Sequence, residues 1–308
     1  MSLAYAGVSI DIAATLAYEK PKQVLTTPAS LGLDYRDVSF PAREDHVLIR
    51  GWFIPGVLST GKLTADRAVI VVHGRAKNRA DPQDGILELS GTFARRGFAV
   101  LAFDMRGMGE SPPAPDSLGF FEQRDVLGAV DFLRSGPPPY PPLSRPRIVG
   151  GWGVSMGATS LILAAAREPA VRAVVADSTP ADVLPLLERE IPRQGHVPPA
   201  FTPGALLMAH LLYGIDYAAV RPVDAVGRLA PRPLFLIDGT ADTYTGRSSL
   251  ALLTTSARRG SGAEVTSWLV PKATHAQDFR TAPVEYVRRV MGFFETALGP
   301  DLSPGAGP

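Results

Sequence analysis

The chain of 308 residues contains no cysteine. That absence excludes a disulfide scaffold, a thiolate nucleophile, an iron–sulfur cluster and any cysteine-ligated zinc site, while a cysteine-free chain suits either side of a membrane. An excess of one charge is missing too: 31 Lys and Arg stand against 30 Asp and Glu, a net charge of +1. Proteins that neutralise phosphates in series carry a basic field, so nucleic acid is not an expected partner. No stretch approaches the roughly 18 uncharged apolar residues of a spanning helix. The nearest, Ala4 to Tyr18, is interrupted by Asp11 and has no basic residue ahead of it, so it reads as a surface helix rather than as a membrane span or signal peptide. The expected location is cytoplasmic; peripheral or membrane-anchored attachment is the alternative should Met1-Ser2-Leu3 stand where an anchor has been removed.

What the chain does have is a hydrophobic content of 45%, enough for one large core. From Tyr35 onward short β-branched runs alternate with helical patterns, which predicts an α/β fold: a mostly parallel sheet with helices on both faces. Tyr35–Phe40 and Val47–Phe53 flank the charged turn Arg43-Glu44-Asp45 and predict an antiparallel edge. Six further apolar runs follow at Ala68–His73, Phe98–Phe103, Arg147–Gly153, Val171–Asp177, Pro233–Gly239 and Val265–Pro271, for eight strands in all. Helices are expected at Ile86–Arg96, Phe121–Leu133, Met156–Arg167, Arg247–Arg258 and Pro283–Leu298. Between residues 178 and 232 the connection is too long for a simple crossover, and it holds helical patterns at Ala181–Glu190 and Gly204–Tyr213 with proline-rich chain between them. The expected organisation is an N-terminal helical segment over 1–30, one domain over 31–298 with a small helical cap inserted at about 178–232, and a flexible tail over 299–308.

Gly153-Val154-Ser155-Met156-Gly157 follows a predicted strand directly and opens a predicted helix. That setting turns a common pentapeptide into a nucleophile elbow, because a serine on so sharp a turn needs tiny neighbours for the chain to pass close by. A hydroxyl is a weak nucleophile at neutral pH, so it requires a general base, and the base requires an acid to fix its tautomer. Of the five histidines only His275 follows the eighth strand, at the same carboxyl edge as Ser155; His73, His46, His196 and His210 fall elsewhere. Two acids end strands at that edge. Asp242 follows the seventh strand across a Gly239-Thr240 turn, whereas Asp177 closes the sixth in Asp177-Ser178-Thr179-Pro180, which reads equally well as a helix N-cap.

Several blocks together resemble the alpha/beta-hydrolase superfamily. Val72-His73-Gly74-Arg75 is similar to the family's strand-three oxyanion segment, and Asp104-Met105-Arg106-Gly107-Met108-Gly109-Glu110-Ser111 to its D-x-R-G-x-G-x-S loop, with Met108 where a histidine is more usual. The front end, Leu33–Pro55, resembles a bacterial subgroup akin to Bem46-type and prolyl-oligopeptidase-like catalytic domains. The resemblance spans residues 31–298 and implies the chain order Ser155, Asp242, His275 for a catalytic triad, with backbone N–H groups of Arg75 and Met156 forming the oxyanion hole. It leaves His73 structural, and the Arg75 side chain either clamps an acidic substrate or pairs with a carboxylate of the fold.

The resulting expectation is a serine hydrolase cleaving carboxylic esters of small acyl substrates through an acyl-enzyme, with no cofactor or metal in the mechanism. A peptidase or amidase and an acyltransferase use the same triad, and a non-catalytic binding protein of the same fold is the competing class. Serine at the elbow argues against haloalkane dehalogenases and epoxide hydrolases, which carry aspartate there. In the insertion, Leu207, Leu211 and Tyr213, with Leu206 and Leu212 beside them, are expected to wall an apolar acyl pocket.

Overall fold

Eight strands form one sheet in the computed structural model, which describes residues 3–246 and 248–300. In chain order they are β1 (Arg36–Pro41), β2 (Leu48–Ile54), β3 (Arg67–Val72), β4 (Ala99–Asp104), β5 (Ile148–Val154), β6 (Val171–Asp177), β7 (Leu234–Gly239) and β8 (Val265–Val270). Their order across the sheet is β1-β2-β4-β3-β5-β6-β7-β8. Strand β2 is antiparallel to both its neighbours and every other pairing is parallel. Strands β3, β4 and β7 are buried at every position because both faces are covered, and successive residues alternate between two cores. Ala68, Ile70 and Val72 join one cluster with α3 (Glu122–Arg134), α4 (Met156–Ala165) and α8 (Ser249–Ala257). Val69 and Val71 join the other with α2 (Ile86–Arg95) and α10 (Pro283–Leu298).

Strand β5 carries the elbow and is gripped from both sides. A Cβ on Gly150 would lie 2.8 Å from Phe294 of α10, and one on Gly151 would lie 2.5 Å from Leu161 of α4. Two adjacent glycines thus let both helices seat directly on the sheet beneath the functional edge. Register aligns that edge: Val72 pairs with both Phe103 and Gly153, and Gly153 pairs with Ala176, so β3, β4, β5 and β6 end nearly level.

The helix at the front of the chain, α1 (Leu3–Ala17), is not a free surface helix. It packs on α6 (Thr202–Tyr213), burying Ser9, Ala13 and Ala17. A Cβ on Gly204 of α6 would strike Ser9 and Tyr5, so small residues on both helices set this close approach, and Tyr5 stacks on Phe201 with ring centroids 5.0 Å apart. The long connection after β6 holds α5 (Val183–Gly195), α6 and the short α7 (Pro222–Ala225). The chain expected to break at Pro192 instead stays helical through it to Gly195, with the Glu190 carboxylate collecting the side chains of Arg189, Arg193 and Gln194 across that turn. Asp182, rather than Asp177, caps α5 by accepting the Leu184 N–H at 3.0 Å. A two-residue hairpin, Gly56–Val57 with Leu63–Thr64, is too short to show as a period in the sequence. Helix α8 begins at Ser249; the expected start at Arg247 lies outside the described residues, as do residues 301–308 of the expected tail. Among the described residues no helix is long and apolar enough to cross a membrane.

Candidate active site

Ser155 stands between β5 and α4 with φ 54° and ψ −119°, backbone angles that only a tightly constrained turn imposes on a residue with a side chain. The flanking glycines explain how the turn closes. A Cβ on Gly153 would lie 2.7 Å from the carbonyl oxygen of Gly157, and one on Gly157 would collide with the carbonyl oxygens of Val72 and His73. The Ser155 N–H is held by the carbonyl of Asp177 at 2.8 Å, and its own carbonyl accepts the Thr159 N–H at 2.9 Å. With its backbone fixed on both sides, the serine points its Oγ at His275 Nε2, 2.8 Å away.

His275 lies in the loop after β8, and that loop is anchored to two neighbouring strand ends. The Lys272 N–H donates to Thr240 Oγ1 at 2.7 Å, the Ala241 N–H donates to the Ala273 carbonyl at 2.9 Å, and the Ala276 N–H donates to Ser178 Oγ at 3.0 Å. A Cβ on Gly239 would run into the Ala273 carbonyl, so only glycine lets the β7 turn pass the histidine loop. His275 Nδ1 lies 2.8 Å from Asp242 Oδ2. The other carboxylate oxygen of Asp242 accepts the N–H groups of Tyr244 at 2.7 Å and Thr245 at 3.1 Å. Burial pushes this carboxyl up, but the hydrogen bond and charge of His275 and the two N–H donors outweigh it, holding Asp242 below its ordinary value. Asp238, four residues earlier, goes the other way: burial and the Asp242 charge raise it to about 8, so it keeps its proton at neutral pH. Its role was not legible in the sequence, because the pair becomes visible only when the β7 turn folds back on itself.

The alternative partners are committed elsewhere. His73 is fully buried, with Nδ1 2.7 Å from the Gly74 carbonyl and Nε2 accepting the Met105 N–H at 3.0 Å, and burial lowers its pKa. Asp177 accepts the Tyr286 hydroxyl at 2.6 Å and the Ser178 hydroxyl at 2.9 Å. Burial and the adjacent Asp278 raise it well above the ordinary carboxylate range. In the D-x-R-G-x-G-x-S loop, Asp104 accepts the Arg79 N–H at 2.7 Å, the Arg79 guanidinium and the Glu110 N–H at 2.8 Å, while Arg106 pairs with Asp45 and Asp125. These charges fix loops.

Ser155, His275, Gly74 and Arg75 line a cavity of about 750 Å³ together with Tyr244, Asp84 and Gln277. The Met156 N–H is the first of α4 and has no helical acceptor, and neither it nor the Arg75 N–H donates to another group among the described residues. The Arg75 side chain pairs with the fold: Nε donates to Asp116 at 2.5 Å, a terminal nitrogen to the Leu16 carbonyl at 2.8 Å, and Glu19 lies at 3.2 Å. Arg75, Glu19 and Tyr244 also border a second cavity of about 380 Å³, walled by Ile12 and Leu16 of α1, Leu118, Leu187 and Ile191 of α5, and Val197. The leucines expected to wall an acyl pocket do not line either cavity. Leu207 and Leu211 on α6 are 48% and 64% exposed, and Tyr213 packs edge-on against Tyr18 with ring centroids 5.5 Å apart. Helix α6 turns Gly204 to α1 and Leu207, Leu211 and Leu212 outward while Leu206 packs on the core, an orientation that its nearly uniform apolar sequence could not specify.

This strand order, elbow and loop arrangement define the alpha/beta hydrolase fold, and residues 67–212 match the family described as alpha/beta hydrolase fold. An uncharacterized protein of Escherichia coli strain K12, YfhR, is 30% identical over 210 residues, covering 67% of this chain and 62% of that protein, so the match spans about three fifths of the relative's own length. Among solved structures, the esterase Pf2001 of Pyrococcus furiosus superposes with a TM-score of 0.73 at 24% identity, covering 92% of this chain and 100% of that one. The acylaminoacyl peptidase of Pyrococcus horikoshii superposes with a TM-score of 0.62 at 17% identity, over 85% of this chain and 42% of that one.

Proposed function

We propose that the protein is a serine hydrolase that cleaves carboxylic esters through an acyl-enzyme. The observation that carries this reading is the continuous chain Ser155 Oγ, His275 Nε2, Nδ1 and Asp242 Oδ2, with 2.8 Å at each hydrogen bond, opening into a cavity beside two undonated N–H groups. Asp242, held ionised, keeps the proton of the neutral imidazole on Nδ1, which leaves the Nε2 lone pair for the serine hydroxyl. As Ser155 Oγ bonds to the ester carbonyl carbon, its proton passes to Nε2, and the carbonyl oxygen takes the negative charge toward the N–H groups of Met156 and Arg75. The carbon–oxygen bond to the alcohol then breaks, and the departing oxygen takes the proton from Nε2. Water then attacks the acyl-enzyme carbonyl, giving a proton to Nε2; the bond to Ser155 Oγ breaks, Oγ takes that proton back, and the acid leaves. The cavity between α1 and α5 adjoins Arg75 and Tyr244, and its apolar residues Ile12, Leu16, Leu118, Leu187, Ile191 and Val197 suit the acyl chain, although Asp11, Glu190 and Gln194 line it too.

The test is a fluorophosphonate probe followed by turnover of p-nitrophenyl butyrate. Labelling and turnover that are both lost in Ser155→Ala are the expected result. A folded wild-type sample that takes no label would instead favour a binding protein of this fold, and faster cleavage of acyl-peptide amides than of esters would favour the peptidase reading.

A further inference from the structure

Asp84 is the buried acid that the mechanism leaves unused. It is 5% exposed, sits just ahead of α2 and lines the Ser155 cavity. A Cβ built on Gly74 would lie 3.2 Å from Asp84 Oδ2 and 3.6 Å from the Ser155 Cβ, so the bare Cα of Gly74 keeps open the narrow space between this carboxyl group and the serine. The cations of the cavity give their hydrogen bonds to other groups, although Lys77 also forms an ion pair with Asp84. Arg75 is bound to Asp116, Glu19 and the Leu16 carbonyl, and Arg280 to Glu88 at 2.7 Å and the Pro82 carbonyl. Lys77 donates to Gln83 and to Asp81 at 3.4 Å, and its 3.7 Å approach to Asp84 is beyond hydrogen-bond length. Among the described residues the Asp84 carboxylate therefore accepts no hydrogen bond, which is unusual for an acid this buried.

We propose that Asp84 is a specificity-determining acceptor for the leaving group, selecting esters whose alcohol carries a hydrogen-bond donor, a hydroxyl or ammonium, a short reach beyond the ester oxygen. This inference rests on the ester-hydrolase reading. The side of the site follows from the chemistry: the departing oxygen must receive its proton from His275 Nε2, and Asp84 shares its cavity wall with His275, Ala276 and Gln277 rather than with the apolar residues between α1 and α5. Burial pushes the Asp84 carboxyl up to about 6 against the pull of Lys77, so it is an ionised, strong acceptor at pH 8. An alcohol with no donor leaves that acceptor without a partner once the substrate displaces water.

The experiment compares 2-hydroxyethyl butyrate with propyl butyrate at pH 8, a pair that differs by a hydroxyl in place of a methyl group, following acid release by titration. The wild-type protein is expected to favour the hydroxyethyl ester by about tenfold in kcat/KM, the order of one charge-assisted hydrogen bond. In Asp84→Ala the ratio should fall to about one, and in Asp84→Asn, which keeps the volume and a weaker acceptor, to an intermediate value. A wild-type ratio near one overturns the inference without any variant, as does a ratio that survives in folded Asp84→Ala. If neither ester shows hydrolysis that disappears in Ser155→Ala, the hydrolase reading itself fails and this inference with it, whereas Ser155-dependent hydrolysis at equal rates removes only the role of Asp84.

Discussion

Tyr286 donates its hydroxyl to Asp177 at 2.6 Å and accepts the indole N–H of Trp152 at 2.9 Å, so an acid at the carboxyl edge of the sheet is locked into the core and kept from the imidazole. That arrangement separates the two candidate acids. Asp242→Asn should leave the imidazole in the wrong tautomer and cost on the order of 10⁴ in turnover, by analogy with serine proteases. Burial and the neighbouring Asp278 push the Asp177 carboxyl well above its ordinary range, which favours its neutral form, and asparagine imitates that form. Asp177→Asn is expected to keep turnover within about threefold and its melting temperature within about 3 °C, near 1 kcal/mol for a domain of this size. One ester and one thermal scan on both variants check this; collapse of activity in Asp177→Asn with full activity in Asp242→Asn reverses the assignment.

Ser155 and His275 are 2.8 Å apart and should act as a unit. Ser155→Ala and His275→Ala are each expected to reduce kcat by at least about 10⁴, and the double variant to lose little more than either alone. Losses that multiply instead would mean that the two side chains work independently. Rates from single-turnover measurements decide the point.

Asp238 gives stability a pH dependence with a definite sign. Its folded value is about 8, while an unfolded aspartate titrates near 3.9. Between these values the unfolded chain releases a proton that the folded one retains, so the contribution is full below about pH 4 and is lost as pH rises toward 8. Asp238→Asn removes that loss. The melting temperature of the variant relative to wild type should therefore climb by roughly 5–10 °C between pH 5 and pH 8. A difference that stays constant with pH would show that Asp238 is ionised in the fold.

The cavity between α1 and α5 predicts where chain-length preference is set. Ile12→Trp, placing a large ring on the half-buried inner side of α1, should lower kcat/KM for p-nitrophenyl octanoate at least about tenfold relative to the acetate. Leu211→Ala, on the outer side of α6, should leave the ratio unchanged. The reverse pattern would return the acyl site to α6.

The sheet was legible because buried parallel strands write themselves as short apolar runs, and all eight expected runs correspond to strands displaced by no more than a residue or two at their ends. Strand order alone brought Ser155, His275 and two acids, Asp177 and Asp242, to one edge, since strands that run parallel deliver their following loops there, and the structure sets Asp242 rather than Asp177 against the imidazole. The contacts that depend on distant segments were not legible. Nothing local to Asp116 announces that it holds Arg75, and nothing local to Leu16 announces that its carbonyl does the same. Helices α1 and α6 misled for a related reason: both are apolar on nearly every side, so composition indicated burial without saying which face is buried. Packing decided that, through Ser9 and Gly204, whose small size carries no hydrophobic signal.

The bond from Arg75 to Leu16 and the ion pair to Glu19 bring the end of α1 and the chain just after it into the wall around the serine, although no motif marks them. On the proposed reading, reactivity and selectivity reside in separable stretches of chain: a graft that exchanges residues 3–19 for the corresponding helix of another protein of this fold would alter which acyl groups are accepted while leaving Ser155, His275 and Asp242 untouched.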